Sequence, residues 1–211
     1  VIELAEELNS PLILDVFPTF SRFLIELARE AKIPVAINLD HGRTYEDIIK
    51  TIRKGVTSVM VDRSMLPFEQ NVAEVQEIVK IAHAAGISVE AELGHVGNGS
   101  EYDNEESLQL TNPSEARRYV ELTDVDALAV AIGTAHGKYN GVPKIHFDLL
   151  ESIKKEVNVP LVLHGGSGTG FENIEKACKN GINKVNVNTA LITGAIEEIN
   201  TTLKTNRRSI L

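Results

Sequence analysis

Short apolar runs alternate along the chain with longer stretches in which apolar residues recur at helical spacing. The runs Pro11 to Val16, Val35 to Leu39, Val56 to Asp62, Ser88 to Leu93, Ala127 to Ile132, Val159 to Leu163 and Lys184 to Thr189 predict strands. The stretches Val1 to Leu8, Ser21 to Lys32, Tyr45 to Lys54, Pro67 to Ala85, Pro113 to Thr123, Phe147 to Val157, Phe171 to Asn180 and a last one running toward Asn200 predict helices. Thr44 is placed to cap the helix at Tyr45, and Gly86 to stop the one ending at Ala85. Strands that stay apolar through their middles are those buried on both faces, and strict alternation with helices predicts parallel βαβ units, as a barrel or a doubly wound sheet. A barrel needs one more strand, which the helical start at Val1 places upstream. The expected fold is therefore α/β, a (β/α)8 TIM barrel over 1–211 as one domain, its first strand and C-terminal end outside this chain.

Polar residues interrupt this pattern at particular places. Glu90 and Glu92, two apart on one strand, share a face. Asp40 and His41 close the run Val35 to Leu39, setting a carboxylate beside an imidazole at a strand tip, a combination suited to acid/base work and to metal ligation. Asp40, His41, Asp62, Glu92, His136 and His164 all fall at or next to the C-terminal tips of five strands, and in a barrel those tips converge on the face where active sites are built. Three imidazoles from three strands suit zinc with one position open for substrate. Taken singly, each histidine reads equally as a satisfied structural residue, and Asp62 and Glu92 as helix caps or ion-paired carboxylates. As a set they read as ligands, the two carboxylates forming a second cation position or an alternate metal pose. His83 and His146 lie in or beside helices, and His95 opens the long polar segment Gly94 to Asn112, whose length argues for function.

Glycine-rich tips stand next to these residues. His164-Gly165-Gly166-Ser167-Gly168 opens one helix and Asn186-Val187-Asn188-Thr189 the next, and helix N-termini after the last two barrel strands are where this fold cradles phosphate.

Composition narrows the partners. A formal charge of -9 argues against nucleic acid, which needs clustered Lys and Arg, so an anionic substrate must be held by local dipoles or a metal. No apolar run approaches the roughly 20 residues of a membrane span, so no membrane partner is expected. Cys178 is the single cysteine and cannot form an internal disulfide, which fits a reducing cytoplasm, and it reads as a small buried apolar residue.

Six motifs taken together resemble the class II fructose-bisphosphate aldolases and their relatives, the tagatose-bisphosphate aldolases. They are Asn38-Leu39-Asp40-His41-Gly42, Ser58-Val59-Met60-Val61-Asp62, Glu90-Ala91-Glu92-Leu93-Gly94, Ala131-Ile132-Gly133-Thr134-Ala135-His136-Gly137, Leu163-His164-Gly165-Gly166-Ser167-Gly168 and Lys184-Val185-Asn186. The resemblance implies reversible aldol cleavage of a ketose 1,6-bisphosphate, fructose or tagatose, to dihydroxyacetone phosphate and glyceraldehyde 3-phosphate by a homodimer or homotetramer. It further implies Zn2+ on His41, His136 and His164, a second divalent or monovalent cation or alternate metal pose at Asp62 and Glu92, and proton transfer by Asp40. Gly137, Gly165, Gly166, Ser167, Asn186, Val187, Asn188 and Thr189 would hold dihydroxyacetone phosphate. The acidic residue of the mobile loop matches Glu101 best, ahead of Glu105 and Glu106.

Asn38 stands where the family often has His, Arg63 and Met65 flank Ser64 where Gly or Ala and then His are common, and Asn188 replaces Asp or Ala. These departures bear on substrate choice and leave open a barrel that binds a sugar phosphate without cleaving it. A Schiff-base aldolase would need a lysine at an inner strand tip, whereas Lys184 is read at the start of its strand and Lys138 beyond a tip. Barrel metal hydrolases usually carry two histidines one residue apart on a strand, a pattern missing here.

Overall fold

A computed structural model describes residues 1–19, 21–101 and 109–205. Among them the elements follow as α1 (Ile2–Glu7), β1 (Leu12–Val16), α2 (Ser21–Glu30), β2 (Val35–Gly42), α3 (Tyr45–Ile52), β3 (Ser58–Val61), α4 (Phe68–Ala84), β4 (Ser88–Leu93), α5 (Pro113–Thr123), β5 (Ala127–Val130), α6 (Phe147–Glu156), β6 (Leu161–Leu163), α7 (Phe171–Lys179), β7 (Ile182–Val185) and α8 (Thr189–Thr205). Strands taken in sequence order with a helix after each are the pattern of a partial (β/α)8 barrel. None of the described helices is long and apolar enough to cross a membrane.

Two compact units make up the chain. The first comprises Val1–Leu93, Ser114–Ala129 and Val157–Val159, the second Gly94–Pro113, Val130–Glu156 and Pro160–Leu211.

In the first unit β1 to β4 pair in parallel, with Leu12 opposite Val35 and Val59 opposite Val89. Ile37, Leu39, Val59, Met60, Val61, Val89 and Ala91 are buried on these strands, and Val75, Ile78 and Ala82 on α4 at helical spacing. Thr44, in an extended conformation, caps α3 by accepting from Asp47 N at 3.1 Å, and Glu46 and Asp47 suit the positive end of the helix dipole. One polar rung crosses three strands: Asn38 Nδ2 donates to Asp15 Oδ1 at 2.7 Å, and Asn38 Oδ1 accepts from Ser58 Oγ at 2.8 Å. Asn38 is buried, so its amide carries a structural bond on each side. A second chain of bonds fixes the end of β4. The Tyr119 hydroxyl donates to Asn71 Oδ1 at 2.6 Å, and Asn71 Nδ2 donates to the Glu92 carbonyl at 3.2 Å.

In the second unit β6 and β7 pair in parallel, Leu161 opposite Ile182 and Leu163 opposite Val185. Leu161, Val162 and Leu163 are buried, as are Leu150 and Ile153 of α6 and Ala177 of α7.

Several strands are shorter than the runs that predict them, and three further details depart from the sequence reading. β2 runs on through Asp40 and His41 to Gly42, with a register shift between Leu39 and Gly42, instead of ending at Leu39. β7 ends at Val185, so Lys184 is third of four strand residues, nearer the C-terminal end than expected, and Asn186 to Asn188 form a loop. Cys178 is exposed, because the buried position of that α7 turn belongs to its neighbour Ala177.

Candidate active site

The tip of β2 organises the first unit's polar group. The bulge puts His41 at φ +43°, a left-handed conformation rare for a residue with a side chain and concentrated at functional positions. Gly42 must be glycine, since a Cβ there would lie 2.6 Å from Ile48 Cγ1 and 2.7 Å from the Met60 carbonyl oxygen. His41 Nδ1 meets Asp62 Oδ2 at 2.9 Å, and Ser64 donates to Asp62 Oδ1 from both its hydroxyl (2.8 Å) and its N–H (3.2 Å). With Nδ1–H donating to Asp62, the His41 lone pair sits on Nε2, 3.9 Å from Asp40 Oδ1.

His41, Asp62 and fully buried Glu92 each offer a ligand atom, all within 4.8 Å of one another. Burial opposes the charged form of His41, but the hydrogen bond to Asp62 and the charges of Asp40, Glu92 and Asp62 outweigh it and raise the pKa above 6.5. Burial likewise acts to raise Asp62, yet the hydrogen bonds from His41 and Ser64 hold its carboxyl well below the usual carboxylate range. Arg63, also buried, braces this corner by donating to the Gly42 carbonyl at 3.1 Å and the Asp62 carbonyl at 2.8 Å.

The second unit holds the other two histidines. The loop after β4 pairs with the His136 backbone: His136 N donates to the Gly97 carbonyl at 2.8 Å, and Gly99 N to the His136 carbonyl at 2.7 Å. His136 Nδ1 donates to the Val96 carbonyl at 3.1 Å, which leaves the lone pair on Nε2. That Nε2 lies 3.4 Å from Nδ1 of buried His164. Two nitrogens bound to one tetrahedral zinc at about 2.0–2.1 Å stand about 3.3–3.4 Å apart, so the pair has the spacing of two ligands to a single cation.

Around His164 the glycine loops meet. Gly166 N donates to the Asn186 carbonyl at 3.0 Å, and Ala190 N, in the first turn of α8, to Ser167 Oγ at 3.1 Å. Glycine is required at 166, where a Cβ would lie 2.7 Å from Val185 Cγ1. The backbone N–H groups of Ser167, Gly168, Val187 and Asn188 find no acceptor among the described residues, a row of donors suited to a phosphate. Gly137 follows His136 at φ +83°, and Thr189 opens α8. Glu101 ends a short 3-10 turn, Gly99–Glu101, with its side chain outside the described residues, as are Glu105 and Glu106.

The sequence pointed to His41, His136 and His164 as one zinc-binding set and to Asp62 and Glu92 as a second cation position or an alternate metal pose. It missed the supports, Ser64 behind Asp62 and the Val96 carbonyl behind His136. Ser64 could have been found, as a hydroxyl two residues after a strand-tip carboxylate is placed to bond it, whereas nothing local marks Val96.

Imidazoles, carboxylates and open loop amides at the ends of parallel strands are the furniture of a barrel enzyme. The chain matches the family described as fructose-bisphosphate aldolase class-II over residues 1–211. It is similar to the YdjI aldolase from Escherichia coli K12, with 36% identity and a TM-score of 0.84, covering 99% of this chain and 76% of that one. A protein of Coccidioides immitis described as a fructose-1,6-bisphosphate aldolase shares 29% identity at TM-score 0.86, covering 100% of this chain and 77% of that one. A fructose-bisphosphate aldolase from Campylobacter jejuni shares the fold at TM-score 0.79 and 22% identity, covering 99% and 73%. This chain belongs to the class II fructose-bisphosphate aldolase family and is a carbon–carbon lyase acting on a sugar phosphate.

Proposed function

We propose that the protein catalyses zinc-dependent, reversible cleavage of fructose 1,6-bisphosphate to dihydroxyacetone phosphate and glyceraldehyde 3-phosphate. His41, His136 and His164 would hold the zinc, and Asp62 and Glu92 a second cation or an alternate pose of the first. The observation that carries this reading is the 3.4 Å spacing of His136 Nε2 and His164 Nδ1, with the His136 tautomer set by Val96. The first unit's set of His41, Asp62 and Glu92 fits a divalent ion in kind and number. When bound, such an ion supplies Lewis-acid stabilisation of negative charge on substrate oxygens, worth several kcal/mol.

The residues then divide the proton work. Asp40 takes the proton of the C4 hydroxyl, the C3–C4 electron pair passes to the ketose fragment as an enediolate, and a loop glutamate, Glu101, returns a proton to C3. Amides of the 165–168 and 186–189 loops anchor the phosphate of dihydroxyacetone phosphate and so fix the reacting carbons. Asn186, whose Nδ2 lies 3.5 Å from His164, joins that cradle to the imidazole pair. The Lys184 position is no argument against a Schiff base; membership of a metal-dependent family is.

A cleavage assay comparing fructose and tagatose 1,6-bisphosphates, before and after chelation, tests the proposal. The expected result is faster turnover of fructose 1,6-bisphosphate, lost with chelator and restored by zinc. Preference for the tagatose epimer would overturn the substrate, and chelator-resistant cleavage the metal.

A further inference from the structure

We infer that the Tyr139 hydroxyl is a positioning group that sets the spacing of the His136 and His164 imidazoles. The inference rests on reading those two histidines as metal ligands.

A phenol offers one O–H and two lone pairs. Tyr139 uses them across two loops of the second unit. Its oxygen accepts from Ala135 N at 2.8 Å and donates to the Gly165 carbonyl at 3.0 Å, with Thr169 Oγ1 a further 3.4 Å away. Ala135 immediately precedes His136, and Gly165 immediately follows His164. One oxygen atom therefore ties the backbone behind one imidazole to the backbone ahead of the other.

The tie has little slack. Gly165 stands at φ +71°, and a Cβ there would lie 2.3 Å from the Ala135 carbonyl oxygen, so the loops already touch backbone to backbone. Gly168 lies against the ring itself, where a Cβ would be 3.2 Å from Tyr139 Cδ2. Thr169 Oγ1 donates to the same Gly165 carbonyl at 2.9 Å, so Gly165 keeps a donor without Tyr139, whereas the N–H of buried Ala135 has no other acceptor among the described residues. Removing the phenol oxygen thus frees the His136 side of the tie. An imidazole pair at 3.4 Å with ring planes at 81° has a bite that a shift of a few tenths of an ångström would spoil.

The test is zinc affinity, by competition with a chromophoric chelator, together with the visible absorption of the Co(II)-loaded protein. Tyr139→Phe is expected to bind zinc about 10- to 100-fold more weakly and to alter the cobalt band, in protein shown to be folded by circular dichroism. Thr169→Val, which leaves the bond to Ala135 in place, is expected to bind as wild type. Gly168→Ala, which presses on the ring without touching the hydroxyl, reaches the same tie independently and should weaken zinc in the same direction. His136→Ala separates the two ideas. If it binds zinc as wild type does, the ligand reading fails. If it loses zinc while Tyr139→Phe and Gly168→Ala retain it, or if Thr169→Val loses as much as Tyr139→Phe, the positioning role fails and the ligand reading stands.

Discussion

Gly165→Ala should be far more damaging than an alanine at another left-handed glycine of the same unit. Gly165 has φ +71° and Gly170 φ +90°, ψ +142°, so either substitution places a side chain in a positive-φ conformation that costs about 1–3 kcal/mol. Their surroundings differ. A Cβ at 170 meets nothing within 4 Å, whereas at 165 it meets the Ala135 carbonyl oxygen at 2.3 Å, its carbon at 2.6 Å and the Ala135 nitrogen at 2.9 Å. Those are backbone atoms, so no rotamer change relieves the overlap and the loops must part, adding about 1–3 kcal/mol. At about 2–4 °C per kcal/mol for a chain of this size, Gly170→Ala should lower Tm by about 2–12 °C. Gly165→Ala should fall a further 2–12 °C or so. Calorimetry of both metal-free variants reads this directly. Equal losses would refute the claim that the two loops meet backbone to backbone at Gly165.

Asp62→Asn removes the carboxylate that His41 and Ser64 hold, and should destabilise the metal-free protein by about 1.5–3 kcal/mol in urea titrations near pH 5.5. The sign follows from both partners. The raised His41 pKa gives stability that is full below 6.5 and lost as pH rises through the folded value, and the lowered Asp62 pKa gives stability present above 3.8 and lost as pH falls. The gap to wild type should therefore be widest between about pH 4 and 6.5 and shrink above that range. Tyr119→Phe leaves buried Asn71 Oδ1 without its 2.6 Å donor and should cost about 1–3 kcal/mol by the same titration, with no gain in solvent access to compensate. Exposed Cys178 should react with one equivalent of a thiol reagent in the native protein; silence until denaturant is added would return it to the interior.

The fold was largely legible because strand and helix periods differ. β4 and α5 end where the pattern says they do, since Gly94 and Gly86 bracket one strand and Pro113 opens the helix. Boundaries failed where tertiary bonds override local preference. β2 continues past Leu39 because Gly42 packs against Ile48 and the Met60 carbonyl, and the N-terminal part of the run before Leu163 forms no strand because Pro160 has no N–H to donate. Cys178 was misread because a helical stripe one residue out of phase exposes what it should bury. At the site, residue types at strand tips were enough to nominate His41, Asp62, Glu92, His136 and His164. The left-handed backbone of His41, the Val96 carbonyl and the Tyr139 hydroxyl were invisible because each acts through a partner distant in sequence. Asn38 shows the reverse. It stood out as a departure from the family, and its buried amide bonds Asp15 and Ser58, a structural use that leaves the cleavage reading intact.

Zinc-edge X-ray absorption on the fully loaded protein bears most directly on the shared ion. Three imidazole nitrogens at about 2.0–2.1 Å are expected, falling to two in His41→Ala. A shell made of oxygens, or one that keeps three imidazoles without His41, would contradict it.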